Sequence, residues 1–201
     1  MRANLLGCVI MVLASATHAS AQSRCGVERW PVKIGADDDA ALVDSVPIEA
    51  TVAQLIRASR PAATFENRRR IGPLELQTFR VRGRLVRVIA QDDGDIHLVL
   101  RDLNLDSLTM IAEIPSPACT ADVTMAQRFA TSRQALRGTP RGAIVEIVGI
   151  GFFDFPHGQS GAAGNGFELH PVLSLEVFRD WELFSVSGFC GRVRDCPFST
   201  S

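Results

Sequence analysis

The chain contains no tyrosine, and Lys33 is its single lysine; every other basic residue is arginine. Single-stranded nucleic-acid binders need aromatic platforms on which bases stack. With tyrosine missing and the phenylalanines lying in apolar runs, nucleic acid is not the expected partner. No stretch beyond the first twenty residues approaches the 18 or so apolar residues of a membrane-spanning helix. No cysteines show C-x-x-C spacing, which disfavours a structural zinc site. There is no G-x-S-x-G nucleophile elbow, and the glycine-rich stretch from Gly158 to Gly166 lacks the lysine of a P-loop. A net charge of -1 selects no class of partner.

What is present begins with a signature of export. Arg2 precedes an apolar run from Leu5 to Ala16, too short to cross a bilayer, and Ala19-Ser20-Ala21 has the A-x-A form read by signal peptidase. Cleavage is expected after Ala21, giving a periplasmic or secreted protein of charge -2 with no membrane span. The lipobox reading of Leu5-Leu6-Gly7-Cys8 fails because that cysteine begins the apolar run instead of following it. Four cysteines remain, Cys25, Cys119, Cys190 and Cys196, an even set that reads as disulfides in an oxidising compartment. Of three pairings, Cys190 with Cys196 and Cys25 with Cys119 is preferred, because the first closes a small loop.

Residues 25–39 show no period and read as an extended arm. From Pro47 to Ile56, apolar Ile48, Val52, Leu55 and Ile56 fall at helical spacing, predicting a short helix before a polar connector that carries Arg68, Arg69 and Arg70. Strict alternation then sets in, with Phe79, Val81, Gly83 and Leu85 on one face and Arg80, Arg82 and Arg84 on the other. Asp92-Asp93-Gly94-Asp95 is turn chemistry leading to a second strand over 96–100, and 108–114 forms a third, ended by Pro115 and Pro117. Met125, Phe129, Ser132 and Leu136 mark a helix, and 143–153 and 167–178 supply two more strands, the former with glycines where a bulge would sit. The fold class is therefore mainly β within α+β. Its expected parts are a signal peptide (1–21), an arm, short helix and connector (22–75), a five-stranded barrel (76–181) and a tail (182–201).

A helix between the third and fourth of five strands resembles the OB-fold, a partly open barrel. Two further resemblances enter. Cys25-Gly26-Val27-Glu28-Arg29-Trp30-Pro31-Val32-Lys33, Asp93 to Leu100, Ile111 to Pro115 and Gly151 to Phe155 through Glu168-Leu169-His170-Pro171-Val172 resemble uncharacterised exported bacterial proteins, which implies a fold but no activity. The topology and the Asp-Gly-Asp element also resemble staphylococcal-type nucleases. That family's catalytic segment has no counterpart in Ile114-Pro115-Ser116-Pro117-Ala118-Cys119, so only Asp93, Asp95 and Arg101 would carry over.

Three groups of residues offer chemistry. Asp154, His157, Glu168 and His170 would form a metal set if their flanking strands pair; against this, His157 and Gln159 would hydrogen-bond their own loop and His170 would be a half-buried strand histidine. Arg80, Arg82 and Arg84, extended by Arg87 and Arg68 to Arg70, would meet phosphates or an acidic partner, or else be a solvated face paired to Asp and Glu. Asp92, Asp93 and Asp95 would suit calcium but are better explained as a turn. The preferred reading is a binding or envelope-supporting module, whose unknown ligand or envelope protein meets His157, Gln159, Asn165, Glu168 and His170, with the strand arginines alongside. No cofactor is expected apart from a metal ion. The competing readings are a metal-dependent hydrolase, of phosphodiesters for instance, and a purely structural module.

Overall fold

The computed structural model describes residues 25–26, 28–62, 65–155 and 158–178. His157, the expected signal peptide over 1–21, Cys190 and Cys196 lie outside them. Five strands close a barrel: β2 (Gln77–Ala90), β3 (Ile96–Arg101), β4 (Thr109–Ile114), β5 (Ile144–Phe153) and β6 (Phe167–Phe178). Around the barrel the order is β2-β3-β4-β6-β5, and β5 returns to β2. Closure is possible because β2 is long enough to serve two neighbours. Thr78 to Arg84 pair antiparallel with β5, and Arg84 to Ala90 pair antiparallel with β3 across a register shift between Leu85 and Arg87. β4 and β6 run parallel. With helix α3 (Val123–Ala135) between β4 and β5, this is the OB-fold arrangement.

The alternation of β2 is realised as predicted: Phe79, Val81 and Leu85 are buried and Arg82 and Arg84 exposed. The interior is filled by Leu98, Leu100, Met110, Ile147, Phe153 and Phe167, among others. α3 lays Phe129 into this core and starts at Asp122, whose carboxylate accepts from the Thr124 and Met125 amides. The β5–β6 register shifts on both sides of Gly149. At Gly151 a Cβ would collide with the Leu74 carbonyl and stand 3.0 Å from the Phe79 and Phe167 rings, so glycine there admits the incoming connector.

The N-terminal region departs from expectation in two places. Residues 30–33 form a helical turn, α1 (Trp30–Lys33), inside the supposed extended arm. The predicted helix over 47–56 is half strand: Asp44–Ala50 is β1, lying parallel to β2, and only Val52–Leu55 is helical (α2). The helix start is set by Thr51, whose hydroxyl accepts from the Gln54 amide while the Gln54 side chain accepts from the Thr51 amide. Ile48, assigned to the apolar stripe, is 51% exposed on the added strand.

This region is held together by charge pairs, some of them buried, and is bonded to the barrel at Phe153. Arg70 and Asp37 form a fully buried pair at 2.6 Å, and Arg69 with Asp39 and Arg68 with Asp38 complete the match of a basic run to an acidic one. The Arg29 guanidinium grips both oxygens of buried Glu75 at 2.8 and 2.7 Å and donates to the Phe153, Arg69 and Glu66 carbonyls. Glu75 also accepts from the Ile71 and Phe153 amides. A disulfide joins Cys25 to Cys119. No helix among the described residues is long and apolar enough to cross a membrane.

Candidate functional site

The inward set on β3, β4 and β6 (Leu98 and Leu100; Met110, Ala112 and Ile114; Phe167 and Leu169) turns His97, Glu113, Glu168 and His170 toward the barrel's outer wall. Strand register then gathers them, since His97 pairs with Glu113 and Ile111 with Glu168. The wall is largely screened from solvent. The N-terminal segment covers it, with buried Val32 and with the Arg29 and Lys33 charges 4.8 and 5.4 Å from the centre of the Phe152 ring. Phe152 in turn stands edge-on to His170.

Beneath this cover, His97 Nε2 lies 2.6 Å from Glu113 Oε1, His170 Nδ1 lies 3.0 Å from Glu113 Oε2, and His170 Nε2 lies 3.4 Å from Asp95 Oδ2. The other Asp95 oxygen accepts from the Ser116 amide. At the edge, Lys33 Nζ stands 3.8 Å from Asp154 Oδ1. His170, Asp95, Glu113, Glu168 and Asp154 are all buried, and the ligating atoms of Asp95, Glu113 and His170 fall within 4.8 Å of one another.

The electrostatics follow from burial and neighbours. Burial would raise the Glu113 carboxyl, but the charge and contact of His170, with His97 second, hold it well below the usual carboxylate range. Glu168 goes the other way: burial first, then the negative charges of Glu113 and Asp154, push it well above that range, against a smaller pull from Lys33. Burial alone would lower His170, yet Glu113 and contacts to Asp95 and Glu113 raise it. Lys33 is raised as well, the desolvation that would lower it being outweighed by Glu113, Asp154, Glu168 and Asp95. The two carboxyls of the cluster are thus driven in opposite directions, Glu113 down and Glu168 up, while the His170 and Lys33 cations are both favoured by the acids around them.

An open cleft of about 430 Å³ leads to this cluster, walled by Lys33, His97, Glu113, Asp154, Asp93 and Gln159. A larger cleft of about 650 Å³, lined by Arg84, Arg137 and Arg141, lies beside the end of α3 and touches none of these groups.

Of the four residues expected as a metal set, Glu168 and His170 stand together in the cluster, Asp154 borders it, and His157 lies outside the described residues. His170 is wholly buried where a half-buried strand histidine was the alternative. Gln159 donates to Asp154 Oδ2 at 3.3 Å. Asn165 anchors its loop, donating to the Leu55 and Ala58 carbonyls and accepting from the Phe167 amide. Arg80 and Arg82 pair with Glu146, Arg80 also with Glu49, and Arg84 donates to the Gly142 carbonyl. Asp92-Asp93-Gly94-Asp95 does form the turn, with Gly94 at φ 87°, but the turn also buries Asp95 against His170. Asp95 and Arg101 flank β3 at opposite ends, roughly 20 Å apart at 3.3 Å per residue, so the nuclease elements are not brought together. His97 and Glu113 were not anticipated; the available signal was a charged residue interrupting the apolar run Met110 to Ile114.

No family model matches the chain and no curated protein matches it. Among solved structures it resembles an assigned aspartyl-tRNA synthetase of Leishmania major Friedlin (12% identity, 67% of this chain, 21% of that one, TM-score 0.42). It also resembles an Entamoeba histolytica asparaginyl-tRNA synthetase (13%, 75%, 28%, TM-score 0.39) and the S. pombe Stn1-Ten1 complex (14%, 54%, 66%, TM-score 0.36). The chain thus spans about a fifth to two thirds of the proteins it matches. The barrel assignment rests on strand order and helix placement, not on these likenesses.

Proposed function

We propose that the protein is an exported binding module whose ligand enters the cleft over the His97–Glu113–His170 cluster. Export is supported by the leader-like first 21 residues together with the Cys25–Cys119 bridge, which an oxidising compartment would maintain. The observation that carries the binding reading is the concentration of buried ionisable groups at the floor of a solvent-reached cleft. Perturbed groups of this kind cluster where proteins engage ligands. The arginine strand face is the less favoured surface, because Glu146 and Glu49 already neutralise Arg80 and Arg82. That argues against nucleic acid as partner on chemical grounds independent of the missing tyrosine.

The hydrolase reading keeps one specific support, the approach of two carboxylates to His170. A thermal-shift screen of the secreted chain against metal ions, small organic cations and short oligonucleotides tests the proposal. A ligand that raises the melting temperature of the wild type, and much less that of His97→Leu, is expected. Stabilisation by oligonucleotides alone, abolished in Arg80→Ala/Arg82→Ala, would refute it.

A further inference from the structure

We propose that the cleft of about 650 Å³ at the end of α3 is a second binding site, taking a solute with a terminal phosphate group gripped by Arg84, Arg137 and Arg141. It is independent of the reading above, and its failure would leave the His97 cleft untouched.

Three separate elements bring the arginines together. Arg84 is exposed on the polar face of β2, Arg137 follows the last turn of α3, and Arg141 stands in the loop between α3 and β5. The Gly142 amide donates to the Leu85 carbonyl at 2.7 Å and the Leu85 amide to the Ala143 carbonyl at 2.9 Å, so this loop is pinned beside Arg84. The Arg84 guanidinium donates to the Gly142 carbonyl at 2.8 Å and is steadied against the same loop. The loop closes as a four-residue turn, in which the Ala143 amide donates to the Pro140 carbonyl at 3.2 Å. Gly142, third in that turn, has φ 88°, which marks type II geometry and leaves Arg141 exposed at the second position.

The charge gathered there is uncompensated. Arg80 and Arg82 on the same strand pair with Glu146 and Glu49, and Arg68 to Arg70 pair with Asp37 to Asp39. No Asp or Glu lines the cleft, and none ion-pairs with Arg84, Arg137 or Arg141 among the described residues. Across β3, Arg84 faces Arg101, another cation, and like charges directly opposite one another destabilise a sheet. A cation at the carbonyl end of α3 explains Arg137 by itself, but Arg84 and Arg141 come from other elements and lie outside that explanation.

Arginine in place of lysine points to the ligand. Each guanidinium presents a planar fork of donors. A carboxylate offers about four lone-pair sites, enough for two forks; a terminal phosphate offers three oxygens and nearly two charges. Val177 and Phe178 add an apolar wall, and the volume leaves room for the molecule that carries the phosphate.

The test is calorimetric titration of the full chain with inorganic pyrophosphate at low and at physiological ionic strength. About one equivalent is expected, bound more weakly in salt and about 10-fold more weakly in Arg137→Gln and in Arg141→Gln, each of which removes a charge-assisted contact. Both side chains are exposed, so these variants should melt as the wild type does. Arg57→Gln, which removes the same charge from an exposed site elsewhere, is expected to change nothing. Absence of binding to the wild type overturns the assignment, even where Asp180→Asn/Glu182→Gln restores it, because the cleft would then serve the chain's own carboxylates. Binding weakened equally by Arg57→Gln, or by neither cleft variant, also overturns it, since the attraction would belong to the surface at large. Pelleting with phosphatidylglycerol vesicles, lost in Arg141→Gln, while pyrophosphate fails to bind would replace the solute with a lipid headgroup and overturn it too.

Discussion

Arg29→Met removes the cation from a pair in which the side chains of Arg29 and Glu75 are 2% and 0% exposed. Glu75 would keep only the Ile71 and Phe153 amides as donors, and the Phe153, Arg69 and Glu66 carbonyls would lose the guanidinium they share. Breaking a buried pair from one side costs about 3–5 kcal/mol, a large part of the ~5–15 kcal/mol that holds a domain together. Urea unfolding followed by far-UV circular dichroism, at constant m-value, reads the loss directly. Arg29→Met/Glu75→Leu removes both charges and is expected to lose less than the sum of the single changes, the mark of a direct interaction. The same pair clamps the segment that roofs the cluster, so amide exchange at Val32, Lys33 and Ile34 should accelerate in the single variant before the barrel strands open. A loss below about 1 kcal/mol, or unchanged exchange at those amides, would refute the claim that Arg29 anchors the roof.

Other consequences can be checked separately. Cys25→Ser/Cys119→Ser opens a loop of 94 residues and should cost up to about 4–5 kcal/mol in the chain-entropy limit, read as a lower urea midpoint; an unchanged midpoint would show that the bridge is not formed. Gly151→Ala forces a methyl against the Leu74 carbonyl and should destabilise by about 1–3 kcal/mol, whereas Gly138→Ala, with open space around it but φ 76°, should cost about 1 kcal/mol. Lys33 has a raised folded-state pKa, so its stabilisation is complete below the unfolded lysine value and is lost as pH rises through the folded one. With no tyrosine and no other lysine in the chain, a decline in stability above about pH 10.5 should vanish in Lys33→Met. Its persistence there would detach it from the cluster.

The barrel was readable because each strand states its own two-residue period. Phe79, Val81 and Leu85 against Arg82 and Arg84 needs no knowledge of the neighbouring strand, and Gly149 and Gly151 marked where the β5–β6 register slips. The disulfide was readable from cysteine number and spacing. β1 was hidden because Ile48, Val52, Leu55 and Ile56 repeat at helical spacing across a strand–helix boundary that only the Thr51 cap reveals. The site was half hidden for another reason. Glu168 and His170 sit two apart on one strand, but Glu113, His97 and Asp95 join them only through the parallel β4–β6 pairing and the antiparallel β3–β4 register. Those pairings are non-local and leave no mark in any single segment. Likewise, that 68–70 would pair with 37–39 depended on how the arm folds back.

The most direct measurement of where the protein binds is amide chemical-shift mapping of the chain during titration with the ligand that stabilises it most. Binding at the barrel wall predicts that the largest shifts fall on Lys33, Asp93, His97, Glu113, Asp154 and Gln159. Shifts concentrated on Arg80, Arg82, Arg84 and Glu146, with the cluster silent, would contradict it.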